Sequence, residues 1–519
     1  MEQGARNTLS PISYLLSPIL ALISILSIYY LLFSKIYYLT HIYIVINTIF
    51  NQRTVDSGFY AVFPGYSSCR RSLSHRILRK NGGTNRPRSN QYRLLIFFRK
   101  PCLWLLFFIM LITFTTALEA ETIVVSTKEE LSSACGRINA NGGEYTISLQ
   151  DDIADASVTI NHKDAVVTLA SNGHTLSGTT TIANISGGIL HLGDEITELT
   201  LKSDSLYHKD PGIIYITGKG VCHMWKNVTT KDRKLSNYLG GGASVRGGTF
   251  YMHGGIIENS GCDASSTCFG GGVAAYEGGT FIMNGGEIKD CYITTQHEYN
   301  NGVQITGADG GVFVGWGSSF EMDGGTIKNC RAKYGAGIAM VISWPEISRR
   351  NAYGYTENLV RINGGNIIDN TATKYGGGIF ASGYHYTYHN AIVTPTSGAA
   401  MNTEAGLYIN NGTISGNNAN AGGGAYLMVL RESYKQHVQI NNAAITNNTA
   451  AEGAGLEVNS GFSDEKVDIE NCTITGNVSD TKGGGIFLTG DGTISRFLQT
   501  TADRTEYTKN QFQQRHRCC

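Results

Sequence analysis

Residues 409–427 read INNGTISGNNANAGGGAYL, and residues 469–487 read IENCTITGNVSDTKGGGIF. Both open on isoleucine, turn within three residues, place a second isoleucine at the sixth position and asparagine at the ninth, and reach a glycine triplet before apolar residues. The pattern extends outward along the chain. With Met252, Met283, Met322, Ile362, Ile409, Ile440 and Ile469 as anchors, isoleucine stands five residues later every time, at positions 257, 288, 327, 367, 414, 445 and 474. The residue two before each anchor is always apolar, from Phe250 to Val467. Apolar residues alternating at period two mark a short strand with one buried face, not a helix.

Positions two and three past the anchor are Gly-Gly in four copies and Asn-Gly, Asn-Ala and Asn-Cys in the other three, residues suited to a tight corner. A second strand then turns the isoleucine inward. The glycine cluster precedes a third strand, so each copy reads strand, turn, strand, turn, strand. Anchor spacings of 31, 39, 40, 47, 31 and 29 define a coil of about thirty residues with loops inserted in some copies. Such a coil cannot bury its own face. Stacking at about 4.8 Å pairs each strand with its equivalents above and below. The expected fold is all-β, a parallel β-helix solenoid, right-handed because parallel crossovers take that hand. Eight residues past the anchor stand Ser260, Cys291, Cys330, Asn370, Asn417, Asn448 and Asn477. The four asparagines are expected to form a structural ladder along the axis.

Five segments follow from these patterns. Residues 1–90 are hydrophobic and basic, and 91–120 resemble a signal peptide or signal anchor. Residues 121–239 hold an N-terminal cap and degenerate coils, 240–490 the regular coils, and 491–519 an irregular polar tail. The cap is a short helix opened by a capping box at Ser126 and Glu129, with Leu131, Cys135 and Ile138 at helical spacing.

The charge balance divides the chain. Its 519 residues carry 41 basic and 41 acidic side chains, but residues 1–120 hold 13 basic and 3 acidic, leaving 28 and 38 for the rest, a net of −10. An acidic body argues against nucleic acid as a partner. Residues 7–34 are free of charge and long enough to span a bilayer, and 101–118 form a second apolar run after a basic stretch. Either residues 1–90 form a real membrane segment or the true start lies downstream. Both readings put the chain beyond residue 120 on the non-cytoplasmic side, membrane-associated or extracellular.

The units FIMNGGEIKDC (281–291), INNGTISGNNANAGGGAYL and IENCTITGNVSDTKGGGIF resemble the repeats of secreted right-handed β-helix proteins, among them polymorphic-membrane-protein-like surface proteins and bacterial adhesin-like proteins. The resemblance covers residues 240–490 well and 121–240 weakly. It implies the fold and leaves the function open, since adhesins, pectin lyases and phage tailspikes share this frame.

Three insertions, 341–358, 381–405 and 428–436, fall at one corner of the coil and carry Trp344, Tyr353, Tyr355, Tyr384, His385, Tyr386, Tyr388, His389 and Tyr434. Flat rings with polar tips on a rigid frame suit sugars or extended polymers, and these residues are the candidate ligand site. Along the outward column before each anchor only Glu321 and Arg361 adjoin as acid and base, a pattern of a cross-coil ion pair rather than of catalysis. No acid cluster fit for calcium, no metal site, no cofactor motif and no nucleophile elbow is evident. Cys291 with Cys330 and Cys262 with Cys268 are positioned either as disulfides or as reduced buried thiols. The expectation is a non-catalytic surface or secreted protein for adhesion or carbohydrate binding. Its alternatives are a polysaccharide lyase or hydrolase on the same frame, and a structural envelope protein.

Overall fold

The computed structural model describes residues 120–507 except 205–206, 209–210, 237–238, 264–267, 295–309, 342–357, 383–405, 429–436, 461–465, 491–492 and 503–504. Spatial clustering separates residues Met1–Arg99 from Lys100–Cys519, and every described residue belongs to the second unit. The hydrophobic segments 7–34 and 101–118 therefore lie outside the described residues, as does the tail beyond 507. Among the described residues no helix is long and apolar enough to cross a membrane.

The described chain is all-β apart from one helix, α1 (Lys128–Asn141), and its strands form sheets of 13, 12, 11 and 9 strands, every ladder of which is parallel. One circuit shows the plan. Leu359–Ile362 lies in the 13-stranded sheet, Asn366–Ile368 in the 11-stranded, Thr371–Tyr375 in the 9-stranded and Ile379–Ser382 in the 12-stranded; Gly406–Ile409 then returns to the first sheet beside Leu359–Ile362. The anchors pair in register, Met252 with Met283, Met283 with Met322, Met322 with Ile362 and Ile362 with Ile409. This is the stacked solenoid the repeat implies.

A coil has four strands, not three. The extra strand, as in Thr371–Tyr375 or Asn418–Ala421, is short and polar outside, and its inward positions hold Ala332, Ala372, Ala419 and Ala450. Methyl groups give too weak an alternation to stand out from a turn, and its ladder also shifts register.

The interior is built from like-on-like columns. Phe250, Phe281 and Phe320 stack with centroids 5.3 and 4.8 Å apart, and the isoleucines five past the anchor are sealed from solvent beside them. The corner after the anchor depends on backbone freedom: Gly286, Gly325 and Gly365 have φ near +88°, and a Cβ at Gly325 would stand 2.6 Å from the Met283 methyl. In the last two copies the left-handed residue moves back one place to Asn442 and Asn471, which lets Ala443 and Cys472 occupy the glycine's position.

Helix α1 buries Leu131, Ala134, Cys135 and Ile138 in the core of the first coils. Its capping box is one residue later than the sequence suggested. Thr127 is the cap: its hydroxyl accepts from the Glu130 N–H at 3.2 Å, and the Glu130 carboxylate accepts from the N–H groups of Ser126 at 2.7 Å and Thr127 at 3.2 Å. Ser126 and Thr127 each have an acid three residues on, so two frames compete; the extended backbone of Thr127 selects the second. Asn139 ties the helix down, donating to Thr159 O at 2.8 Å and accepting from the Asn161 N–H at 2.8 Å.

Candidate functional site on the outer face of the 13-stranded sheet

The aromatic residues expected to bind ligand, Trp344, Tyr353, Tyr355, Tyr384, His385, Tyr386, Tyr388, His389 and Tyr434, all lie outside the described residues. The chain positions that bracket them are described. Each insertion leaves a strand of the 12-stranded sheet and re-enters the 13-stranded sheet, as between Ile379–Ser382 and Gly406–Ile409.

The asparagine ladder is continuous. Nδ2 of Asn370, Asn417, Asn448 and Asn477 donates to the carbonyl of Ile327, Ile367, Ile414 and Ile445 in the preceding coil, at 2.8–3.1 Å. Nδ2 of Asn370 and Asn417 also donates to Oδ1 of the next asparagine at 3.0 Å, and that of Asn448 to Asn477 at 2.9 Å. The same oxygens accept the backbone N–H of the asparagine before. Each interior amide is thereby saturated, which leaves it no free group for chemistry. Cys330 opens this ladder, donating its N–H to Asn370 Oδ1 at 3.0 Å.

The two cysteine pairs part ways. Cys262 and Cys268 are joined by a disulfide that closes a six-residue separation. Cys291 and Cys330 are free and buried, and their thiols donate to Lys289 O at 3.3 Å and Lys328 O at 3.4 Å. Burial pushes the Cys330 thiol well up, and the adjoining Cys291 adds to it. Glu321 and Arg361 are register partners whose charged groups stand 3.7 Å apart, half exposed. Asn363 donates to both Glu321 at 2.9 Å and Asp323 at 2.8 Å, which occupies those carboxylates in a surface network.

Following the same outward column two coils earlier than Tyr251 reveals what the sequence reading missed. His191, His223 and Tyr251 are successive register partners, and their rings stack with centroids 4.7 Å apart at each step. One residue past the ends of these strands a second column places Trp225 against His253, 4.3 Å between centroids. Asn284 Nδ2 donates to His253 Nδ1 at 3.0 Å, which puts the His253 proton on Nε2, and this nitrogen lies 2.9 Å from His223 Nδ1. The two rings are within 5° of coplanar and their centroids are 5.2 Å apart, so they meet end to end across one hydrogen bond. Stacking turns most ring faces toward one another, while His223 Nδ1 and both nitrogens of His253 are held in hydrogen bonds.

All five rings are partly buried. Burial pushes His223 down to about 4, with the neighbouring His191 and His253 adding to the effect. His191 is lowered by burial and by His253, and His253 by burial against an opposing pull from Glu195. These imidazoles are neutral at pH 7. They do not converge on a metal: among the described residues no group of three or more His, Cys, Asp or Glu side chains is arranged to hold one. The Nδ1 lone pair of His223 is also spent on the His253 proton, and that of His253 on the Asn284 amide. The signal for the cluster was in the sequence, as outward histidines at equal places in consecutive coils, but the repeats around 191 and 223 are too irregular to align by anchor alone.

No family model, curated protein or solved structure matches this chain.

Proposed function

We propose that the chain is an exported, surface-associated rod, a right-handed parallel β-helix that binds carbohydrate or a related extended polymer along one side without cleaving it. The observation that carries this reading is the outer face of the 13-stranded sheet, where His191, His223 and Tyr251, and beside them Trp225, His253 and Asn284, stand in registered rows. A linear polymer laid along the axis meets a hydrogen-bonding edge at each coil, on a backbone too well paired to yield. The insertions carrying the loop aromatics enter this sheet at one of its borders, which supports a binding side continuous with the same face. On this face Glu321, Arg361 and Asp323 are engaged with neighbours, which favours binding over catalysis.

The full-length chain, assayed on a glycan array and in parallel for polysaccharide depolymerisation with and without Ca²⁺, is expected to retain glycan and release no cleaved product. Calcium-dependent cleavage, or no retention of any glycan, overturns this reading.

A further inference from the structure

The stacked imidazoles have a chemical consequence that neutral-sugar binding does not use. Three histidines stand within two ring contacts of one another, His191 on His223 at 4.7 Å and His223 end to end with His253. The charged side chains on the elements around them are Asp194, Glu195 and Glu198 on the turn after His191, Lys219 on the turn before His223, and Lys226 next to Trp225; the column beyond Asn284 continues with Asp323. Asp194 is committed to its own turn, accepting from the N–H groups of Ile196 at 2.9 Å and Thr197 at 2.8 Å and from the Thr197 hydroxyl. Tyr251 caps the His223 ring.

We propose that His191 and His223, with His253 hydrogen-bonded to His223, form a binding site for an acidic polysaccharide, a polyuronate in chemical class, that is filled as the imidazoles take up protons. This rests on the carbohydrate-binding reading above and names its ligand class. At neutral pH the body beyond residue 120 has a net charge of −10 and the imidazoles are neutral, so a polyanion is repelled. On acidification each proton added to the cluster is opposed by burial and by the next imidazole, and a carboxylate-bearing chain across the ring edges relieves both. Binding and protonation are therefore linked: the ligand draws protons onto the histidines, and lower pH draws in the ligand. Among the described residues no protein group engages the nitrogens of His191 or Nε2 of His223, so these are the N–H donors a carboxylate can meet. One carboxylate per sugar along a chain answers donors that recur coil by coil.

The test uses the full-length chain with polygalacturonate as probe and uncharged dextran as control, with affinity measured from pH 7.5 to 5. Linkage sets a gain of about tenfold per pH unit for each proton taken up. We expect polygalacturonate to bind at least tenfold more tightly at pH 5 than at 7.5, and the H191Q/H223Q/H253Q variant to lose that dependence. Calorimetry of the unaltered chain in buffers of different ionisation heat gives proton uptake directly, and one or more protons bound per site is the expected result whether or not the variant folds. Binding that is independent of pH with no proton uptake, or a pH dependence that survives the triple substitution, overturns the proposal. Retention of neutral glycans with no polygalacturonate binding at pH 5 overturns the acidic site alone, whereas failure of every glycan at every pH overturns the binding rod as well.

Discussion

Asn417 donates twice to one oxygen of Asn448, from its backbone N–H at 2.9 Å and from Nδ2 at 3.0 Å. Asn448 passes the arrangement on, donating to Asn477 by the same two groups and to Ile414 O at 3.0 Å. Replacing Asn448 with alanine therefore strands two donors and one acceptor inside the solenoid. We expect a loss of about 2–4 kcal/mol. Because coils of a repeat protein unfold semi-independently, the loss should be read locally, as faster hydrogen exchange of the Asn417 amide than of amides in the first coils. Unchanged protection of that amide would mean that the ladder is not a stabilising element.

Arg233 is fully buried, and its guanidinium gathers four acceptors from three chain segments: Thr179 O at 3.2 Å, Thr180 O at 3.3 Å, Ser203 Oγ at 3.3 Å and Pro211 O at 2.8 Å. R233M keeps the bulk and removes every donor. The degenerate coils from 121 to 235 should then unfold at lower denaturant than the regular coils, with a cost of about 2–4 kcal/mol. Limited proteolysis with mass mapping would detect first cuts in that part; first cuts beyond residue 250 would contradict the role.

Glu457 stands between Tyr426 and Phe487 in an outward column of the 12-stranded sheet that runs through Ser244, Ala274, Phe313, Ala339, Phe380 and Tyr426 before it. It is 3% exposed, its Oε2 has no partner, and burial followed by the charge of Glu452 raises it to about 7. The folded chain thus holds a proton that the unfolded chain releases near 4.5. Stability from this group is complete below about 4.5, falls as pH rises from there to about 7, and is level above. E457Q should be more stable than the parent at pH 8, by about 1–3 kcal/mol, and indistinguishable from it at pH 4. Equal melting of both proteins at pH 8 would show that the carboxylate is not penalised.

Among the described cysteines, Cys135, Cys222, Cys291, Cys330 and Cys472 are free and buried. Burial raises Cys135, Cys222, Cys330 and Cys472 above the ordinary thiol value. Iodoacetamide at pH 8 should leave these five unlabelled in the native chain and label them in denaturant, while Cys262 and Cys268 require reductant as well. A linked Cys291 and Cys330 peptide from non-reduced protein would refute the free pair.

The seven isoleucines and the asparagine column made the coil legible, because a buried position repeated in every coil must satisfy the same neighbours each time. The strand lined by Ala372 and Ala419 was not legible, since alanine satisfies a corner and a strand equally. Nor was the choice between Ser126 and Thr127 as cap, which backbone geometry alone decides. The ladder of His191, His223 and Tyr251 escaped for a different reason. Outward residues answer to no core, so their alignment emerges only once register is known. The loop aromatics remain the part of the binding reading that rests on sequence.

The asparagine ladder has a direction: each coil offers a carbonyl-seeking amide to the coil before and an amide to the oxygen of the coil after. Every joint between neighbouring asparagines is therefore chemically the same joint. A duplication or deletion that starts at one asparagine and ends at the next restores the same bonds across the seam, whereas one of any other length strands an amide inside. The three joints from Asn370 to Asn477 are thus interchangeable, and a whole coil added or removed between two of these asparagines leaves the bonding of the interior unchanged.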